Sequence, residues 1–230
     1  YIAIAIALLA LGGAGSYFFL PGNFNVWSKL NISISGNTAA VVNGEKITKS
    51  DLDSRIDEAR EVIQLQGVDL SDEKAFAEIK KRMLEDMINE KILLQNAAKG
   101  GFFAAPADIQ TAYDQLAAKF KTTEDFQKEL TSRKVTETEV KESIAKQITL
   151  NKYIEQNIDL KDVSATDEEI SALYKNYSAQ QKDATMPQLE EIKAELASEV
   201  RQQKTRTMIF KFVEKLKKEA AEHAVEDANK

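Results

Sequence analysis

Four pairs in this chain set a threonine three residues before a carboxylate at the head of an apolar, helix-spaced segment: Thr48 with Asp51, Thr122 with Asp125, Thr136 with Glu139, and Thr166 with Glu169. The hydroxyl accepts from free N–H groups in the first turn of a new helix, and the carboxylate answers the N–H of the cap residue. Each pair therefore marks a helix start. Pro106 and Pro187 suit the first turn of two more helices, where a missing N–H costs nothing. Gly67 and the Gly100-Gly101 pair supply breaks. Together with the apolar spacing, these signals predict helices over 49–66, 72–99, 106–120, 123–132, 137–158, 167–177 and 187–221, a mainly α fold.

One stretch departs from that pattern. Ala39, Ala40, Val41 and Val42 form an apolar run, Asn43-Gly44 is a tight-turn pair and Ile47 resumes the apolar pattern, which predicts a small β-ribbon. The helix after it carries Leu52, Ile56, Ala59 and Ile63 on one face. Helix 72–99 places Phe76, Ile79, Met83, Met87 and Leu94 near one face, and Leu84, Ile88 and Ile92 widen it, so its neighbours must cover it on most sides. Helix 187–221 carries Leu189, Ile192, Leu196, Val200, Phe210, Val213 and Leu216 over about 50 Å, a length that implies an open architecture. The polar end from Glu219 to Lys230 is expected to fray, with 223–230 as a polar tail.

Composition bounds the function. With 43% hydrophobic and 30% charged residues the chain can bury a sizeable core. A net charge of -6 and the lack of a dense Lys/Arg stripe argue against nucleic acid. Zero cysteines exclude disulfides, thiolate metal sites and a Cys nucleophile, and the single histidine, His223, excludes a His-based triad or a multi-histidine metal site. The carboxylate pairs Glu168-Glu169 and Glu190-Glu191 read as caps and solvated faces. No phosphate-binding glycine loop is evident, since Gly12, Gly13 and Gly15 lie inside an apolar run. No cofactor or metal is expected.

Residues 1–20 contain no charge, and as a helix would span about 30 Å, the thickness of a bilayer's hydrocarbon core. They read as a membrane anchor, with a cleaved signal peptide ending near Ala14-Gly15-Ser16 as the alternative; Tyr17 to Leu20 prolong the apolar run past that point. Residues 21–38, rich in Pro, Gly, Asn and Ser, suit a linker, with Trp27 placed for the membrane interface.

The block A-A-V-V-N-G-E-K-I-T-K-S-D-L resembles the opening of the SurA-type extracytoplasmic chaperones and their membrane-anchored relatives such as PpiD, whose first domain begins with a similar V-V-N-G-x-x-I-T-x-x-D-L. The likeness continues through Phe76 to Ala98, the Gly-Gly break, Thr122 to Val140, and Ala165 to Tyr174, and covers residues 39–222. It implies a SurA N-terminal, trigger-factor-like helical chaperone module closed by a long C-terminal helix and preceded by a transmembrane helix. It also implies that Ala224-Val225 returns to pair with Val41-Val42. In the family a parvulin-type prolyl isomerase domain usually sits between the equivalents of Tyr177 and Pro187. Here nine residues, Ser178 to Met186, separate them, too few for a domain, so no enzyme activity is expected.

What the resemblance implies is a membrane-tethered, ATP-independent holdase on the extracytoplasmic side of the envelope. It would shield unfolded or newly exported polypeptides in a groove between helices. The candidate peptide-binding residues are the aromatics and methionine on short or terminal segments: Phe102, Phe103, Tyr113, Phe120, Phe126, Tyr174, Tyr177 and Met186. Such side chains accept many shapes, although each also suits ordinary core packing. The competing reading is a membrane-anchored helical scaffold with fixed partners. It expects sustained heptads, against which the Asn-Gly turn, the Gly-Gly break and both prolines speak.

Overall fold

A computed structural model of the protein describes residues 36–65, 67–180 and 187–228. Two strands come first, β1 (Thr38–Val42) and β2 (Glu45–Thr48), and then α1 (Lys49–Leu65), α2 (Glu73–Lys99), α3 (Pro106–Ala117), α4 (Thr123–Ser132), α5 (Glu137–Asn157), α6 (Asp167–Gln180) and α7 (Leu189–Ala228). The anchor expected over 1–20, most of the linker, and Met186 lie outside the described residues. Among those described, no helix is long and apolar enough to cross a membrane.

The strands pair antiparallel through Asn43 and Gly44, whose φ angles of 48° and 84° are the left-handed pair that Asn-Gly tolerates best. A register shift between Thr38 and Ala40 lets both Ala39 and Ala40 be buried. Lys49 N–H donates to the Asn37 carbonyl, so α1 leaves the ribbon at a set angle. Its cap is reciprocal: Asp51 N–H donates to Thr48 Oγ1, and Asp51 Oδ2 accepts from Thr48 N–H. The same exchange starts α5 at Thr136 and Glu139 and joins Thr166 to Glu169 ahead of α6; Thr122 caps α4 from one side.

Three apolar clusters result. The first unites the ribbon, α1, α2, the second half of α5 and the stretch Ile209 to Leu216 of α7. At its centre α2 buries Ile92, Leu93 and Ala97 completely, as expected of a helix apolar on most sides. The second joins α3, α4 and the first half of α5. The third packs α6 against the first half of α7 around Ile170, Leu196 and Val200. Lys204 stands between the third and the first, its ammonium donating to Glu169 and to the Ser164 carbonyl.

Several expectations are corrected. Ala224 and Val225 do not join the ribbon: α7 runs through Ala228, and the sheet of the described residues has two strands. Backbone groups engaged along a helix cannot also form a ladder. Residues 223–228 are therefore helical rather than frayed. Pro187 precedes the cap of α7 instead of entering its first turn; Gln188 N–H donates to Glu191, and the Pro187 carbonyl accepts from Tyr174 Oη. On α7 the buried position is Ile209, with its neighbour Phe210 half-buried. Helix α3 stops at Ala117, three residues early.

Candidate functional site

The core-facing residues of α1 recur at Leu52, Ile56, Ala59 and Ile63, which turns Arg55 and Glu58 onto the shoulder of the helix. The same geometry on α2 leaves Met87, Glu90, Lys91 and Leu94 on a shoulder. On α5, Val140 and Ile144 enter the second cluster, and Glu139, Glu142, Ser143 and Lys146 lie alongside. These shoulders and β2 enclose a cleft of about 640 Å³. Its apolar surface comes from Ile47, Met87, Leu94, Val135 and Val140, and its rims are charged.

Specific contacts hold the walls. Arg55 on α1 pairs with Glu90 on α2 at 2.8 Å, both side chains under one-fifth exposed. Arg133, in the α4–α5 turn, reaches Glu129 at 2.6 Å and Glu61 of α1 at 3.3 Å, which ties the second cluster to the first beside the cleft. That turn places Lys134 at φ 55°, with Val135 N–H returning to the Leu130 carbonyl, so Val135 is delivered to the cleft. On the ribbon side, Gln95 donates to the Val42 carbonyl and to Glu45 and accepts from Asn43, while Lys91 pairs with Glu45 at 3.0 Å.

The electrostatics follow from burial. The Glu58 carboxyl is raised above its ordinary range, mainly by desolvation from the side chains crowded around it and against the opposing pull of Arg55, although the residue keeps an exposed surface. Asp86, one turn before Glu90, is pushed up to about 8 for the same reason, again opposed by Arg55, although part of the residue remains accessible. Asp86 and Glu90, both partly buried, depart from the expectation of solvated carboxylates; Glu169 and Glu191 conform to it as caps. Among the described residues no group of three His, Cys, Asp or Glu could hold a metal.

The residues chosen from sequence do not converge on one surface. Phe102 folds back over Gly100, where an added Cβ would meet its ring at 2.8 Å, and it packs edge-on against Tyr153 at 5.5 Å in the first cluster. Its N–H closes α2 onto the Ala97 carbonyl across Gly101, at φ 73°. Phe103 is 64% exposed. Tyr113 and Phe126 are buried together in the second cluster, with Phe120 half-buried against Phe126 at 5.0 Å. Tyr174 and Tyr177 belong to the third, where Tyr177 donates to Glu199. Sequence reasoning missed Arg55, Glu58, Glu90, Lys91 and Gln95. The signal was there in α2: charged residues spaced along a helix that must be covered on most sides need partners.

Three helices and a ribbon strand thus enclose a cleft lined by both apolar and charged side chains, a concave surface that a ligand could enter. The sequence over residues 1–133 matches the family described as the SurA-like N-terminal domain, and the chain belongs to that family. It is similar to foldase protein PrsA of Caldanaerobacter subterraneus subsp. tengcongensis, 26% identical over 150 residues, 62% of this chain and 43% of the relative. Foldase protein PrsA of Clostridium acetobutylicum is 27% identical over 184 residues, 76% and 54% of the two chains. Chaperone SurA of Legionella pneumophila is 25% identical over 138 residues, 60% and 31%. The chain thus spans about a third to a half of the length of these curated relatives. No solved structure matches it.

Proposed function

We propose that this protein is an ATP-independent chaperone that holds an apolar segment of an unfolded, exported polypeptide in the cleft between α1, α2, β2 and α5. The observation that carries the reading is the cleft itself, in a chain of the SurA-like N-terminal domain family. Its size falls within the range of small-ligand sites, room for a few side chains of an extended chain and not for a folded domain. Met87 and Leu94 supply adaptable apolar contact, and charged rims keep the empty site wet. Capture gains apolar burial against the ordering entropy of the client, so binding is weak per site and broad.

In this reading residues 39–222 are the chaperone module, and the uncharged stretch 1–20, which falls within the family match, tethers it to the membrane on the extracytoplasmic side. Phe103 extends the client surface outside the cleft. Only nine residues separate Tyr177 from Pro187, so the connection between α6 and α7 adds no isomerase.

The test is suppression of aggregation of an unrelated unfolded protein without nucleotide, together with photo-crosslinking from positions 87 and 94. Suppression near stoichiometric amounts, with crosslinks to the client, is the expected result, and X-Pro isomerisation should not be accelerated. Absence of suppression combined with tight binding to one folded partner would replace this reading with that of a fixed scaffold.

A further inference from the structure

The ribbon has a free edge, and its pairing shows where that edge points. Val42 and Glu45 close the two-residue turn, Val41 faces Lys46, and Ala40 faces Ile47. In an antiparallel pair closed by such a turn, the closing residues bond to each other and the next pair turns its N–H and C=O groups outward. Along β2, therefore, Glu45 and Ile47 bond to β1, and Lys46 and Thr48 face away from it. The outward N–H of Thr48 is taken by Asp51 Oδ2 at 2.9 Å. The backbone N–H and C=O of Lys46 have no partner among the described residues.

Asp51 also locates the edge. It lines the cleft together with Lys46 and Ile47, whereas no residue of β1 does. The outer edge of β2 is thus part of the cleft wall, with one open rung at Lys46. Ile47 points to the opposite face of the ribbon, into the core that α2 shares, and Met87 and Leu94 of α2 stand in the same cleft. Charge gives the cleft little bias, since six basic and five acidic side chains line it. An unpaired main chain recognises any extended polypeptide, which suits a site that takes many segments.

From this geometry we infer that the client segment enters the cleft as an added antiparallel β-strand, paired with the edge of β2 at Lys46 and presenting apolar side chains at alternate positions to Met87 and Leu94. This rests on the chaperone reading and deepens it. An antiparallel strand satisfies both free groups with one client residue: its N–H donates to the Lys46 carbonyl, and its carbonyl accepts from the Lys46 N–H. The residues on either side of it then point to the face of Ile47. A short, lysine-bearing edge resists association between folded sheets while leaving this rung to a single strand.

The experiment titrates the full chain with three fluorescent peptides of one sequence, Ser-Leu-Ser-Phe-Ser-Leu-Ser: unmodified, N-methylated at the two inner serines, or N-methylated at the Phe and one Leu. With the apolar side chains toward Met87 and Leu94, the serines carry the pairing edge. Serine methylation should weaken binding on the order of tenfold, what two backbone hydrogen bonds contribute, and methylation of the apolar residues should leave it nearly unchanged. In Lys46→Pro, which removes the N–H at an edge position that tolerates proline, the unmodified peptide should bind as weakly as the serine-methylated one. Lys46→Ala keeps the backbone and should keep the discrimination. The peptide comparison on the parental chain decides the matter even where the proline variant fails to fold. Equal weakening by both methylation patterns, weakening by neither, no binding of the unmodified peptide, or full affinity in a folded Lys46→Pro variant would overturn the inference. Aggregation suppression by the parental chain separates the two readings. Suppression with binding that ignores the methylation pattern sinks strand addition alone, and discrimination without suppression sinks the chaperone reading alone.

Discussion

The first and second clusters are built on different plans. The first gathers side chains from Ala39 to Ala97, Leu150 to Ile158 and Ile209 to Leu216, so it is complete only when distant parts of the chain meet. The second takes its buried side chains from Tyr113 to Ile144, three helices in succession. Loop-closure entropy is small in the second and large in the first. Helix α5 belongs to both, with Val140 and Ile144 in one and Leu150, Tyr153 and Ile154 in the other. The second cluster can thus open as a local unit while the first stays closed, and the cleft lies where they join.

The most severe way to break this contrast is Phe126→Ala. Phe126 is 1% exposed at the centre of the second cluster, and its loss should lower the free energy of opening that cluster by about 4 kcal/mol. Native-state hydrogen exchange should show faster exchange confined to 106–144. An equal loss of protection in α2 would mean that the two clusters are one cooperative unit.

A pH effect should belong to the first region. Asp86, with a folded pKa of about 8 against an ordinary 3.8, holds its proton in the folded state where the unfolded chain has released it. Stability is then unaffected below about pH 4, falls as pH rises through the interval, and levels off above about 8. Asp86→Asn should remove that slope. It should raise stability at neutral pH by on the order of 2 kcal/mol once partial solvent exposure is discounted, and change little at pH 4. Thermal melts across that range check it, and a variant with the parental slope would refute the assignment.

Phe102→Ser should cost about 2 kcal/mol in chemical denaturation, because the ring closes α2 and touches Tyr153, whereas Phe103→Ser should stay within about 0.5 kcal/mol. Equal costs would show that the exposed ring also packs. Among the changes expected to destabilise, the mildest is Thr136→Ala, about 1 kcal/mol, since it removes one half of the capping box that starts α5. Exchange at the first amides of α5 should rise, and if protection there is unchanged the cap is not what sets the start of the helix.

The local rules were legible. Thr48, Thr122, Thr136 and Thr166 act as the spacing of hydroxyl and carboxylate requires, and Gly67 and Gly101 sit at positive φ where helices end. The apolar face of α1 was likewise readable from period alone, whereas on α2 the expected face left out Leu93 and Ala97, both fully buried, and included Phe76, Met87 and Leu94, which are only partly covered. The candidate site was not. Phe102, Tyr113 and Phe126 share aromatic chemistry with Phe103, and nothing in their spacing separates a ring that closes a helix or fills a core from one in water.

What the sequence by itself determined is therefore the order and type of the elements and the starts that threonine caps mark, because caps, turns and helical periods act between residues three or four apart. Which faces meet was decided only by the tertiary structure. Arg55 finds Glu90 across 35 positions and Arg133 finds Glu61 across 72, and α7 continues as helix where a returning strand was expected. The charged shoulders that form the cleft look like solvated surface in any single helix. Their role arises from the packing of the buried faces beneath them, which brings charges together at distances that chain spacing does not encode.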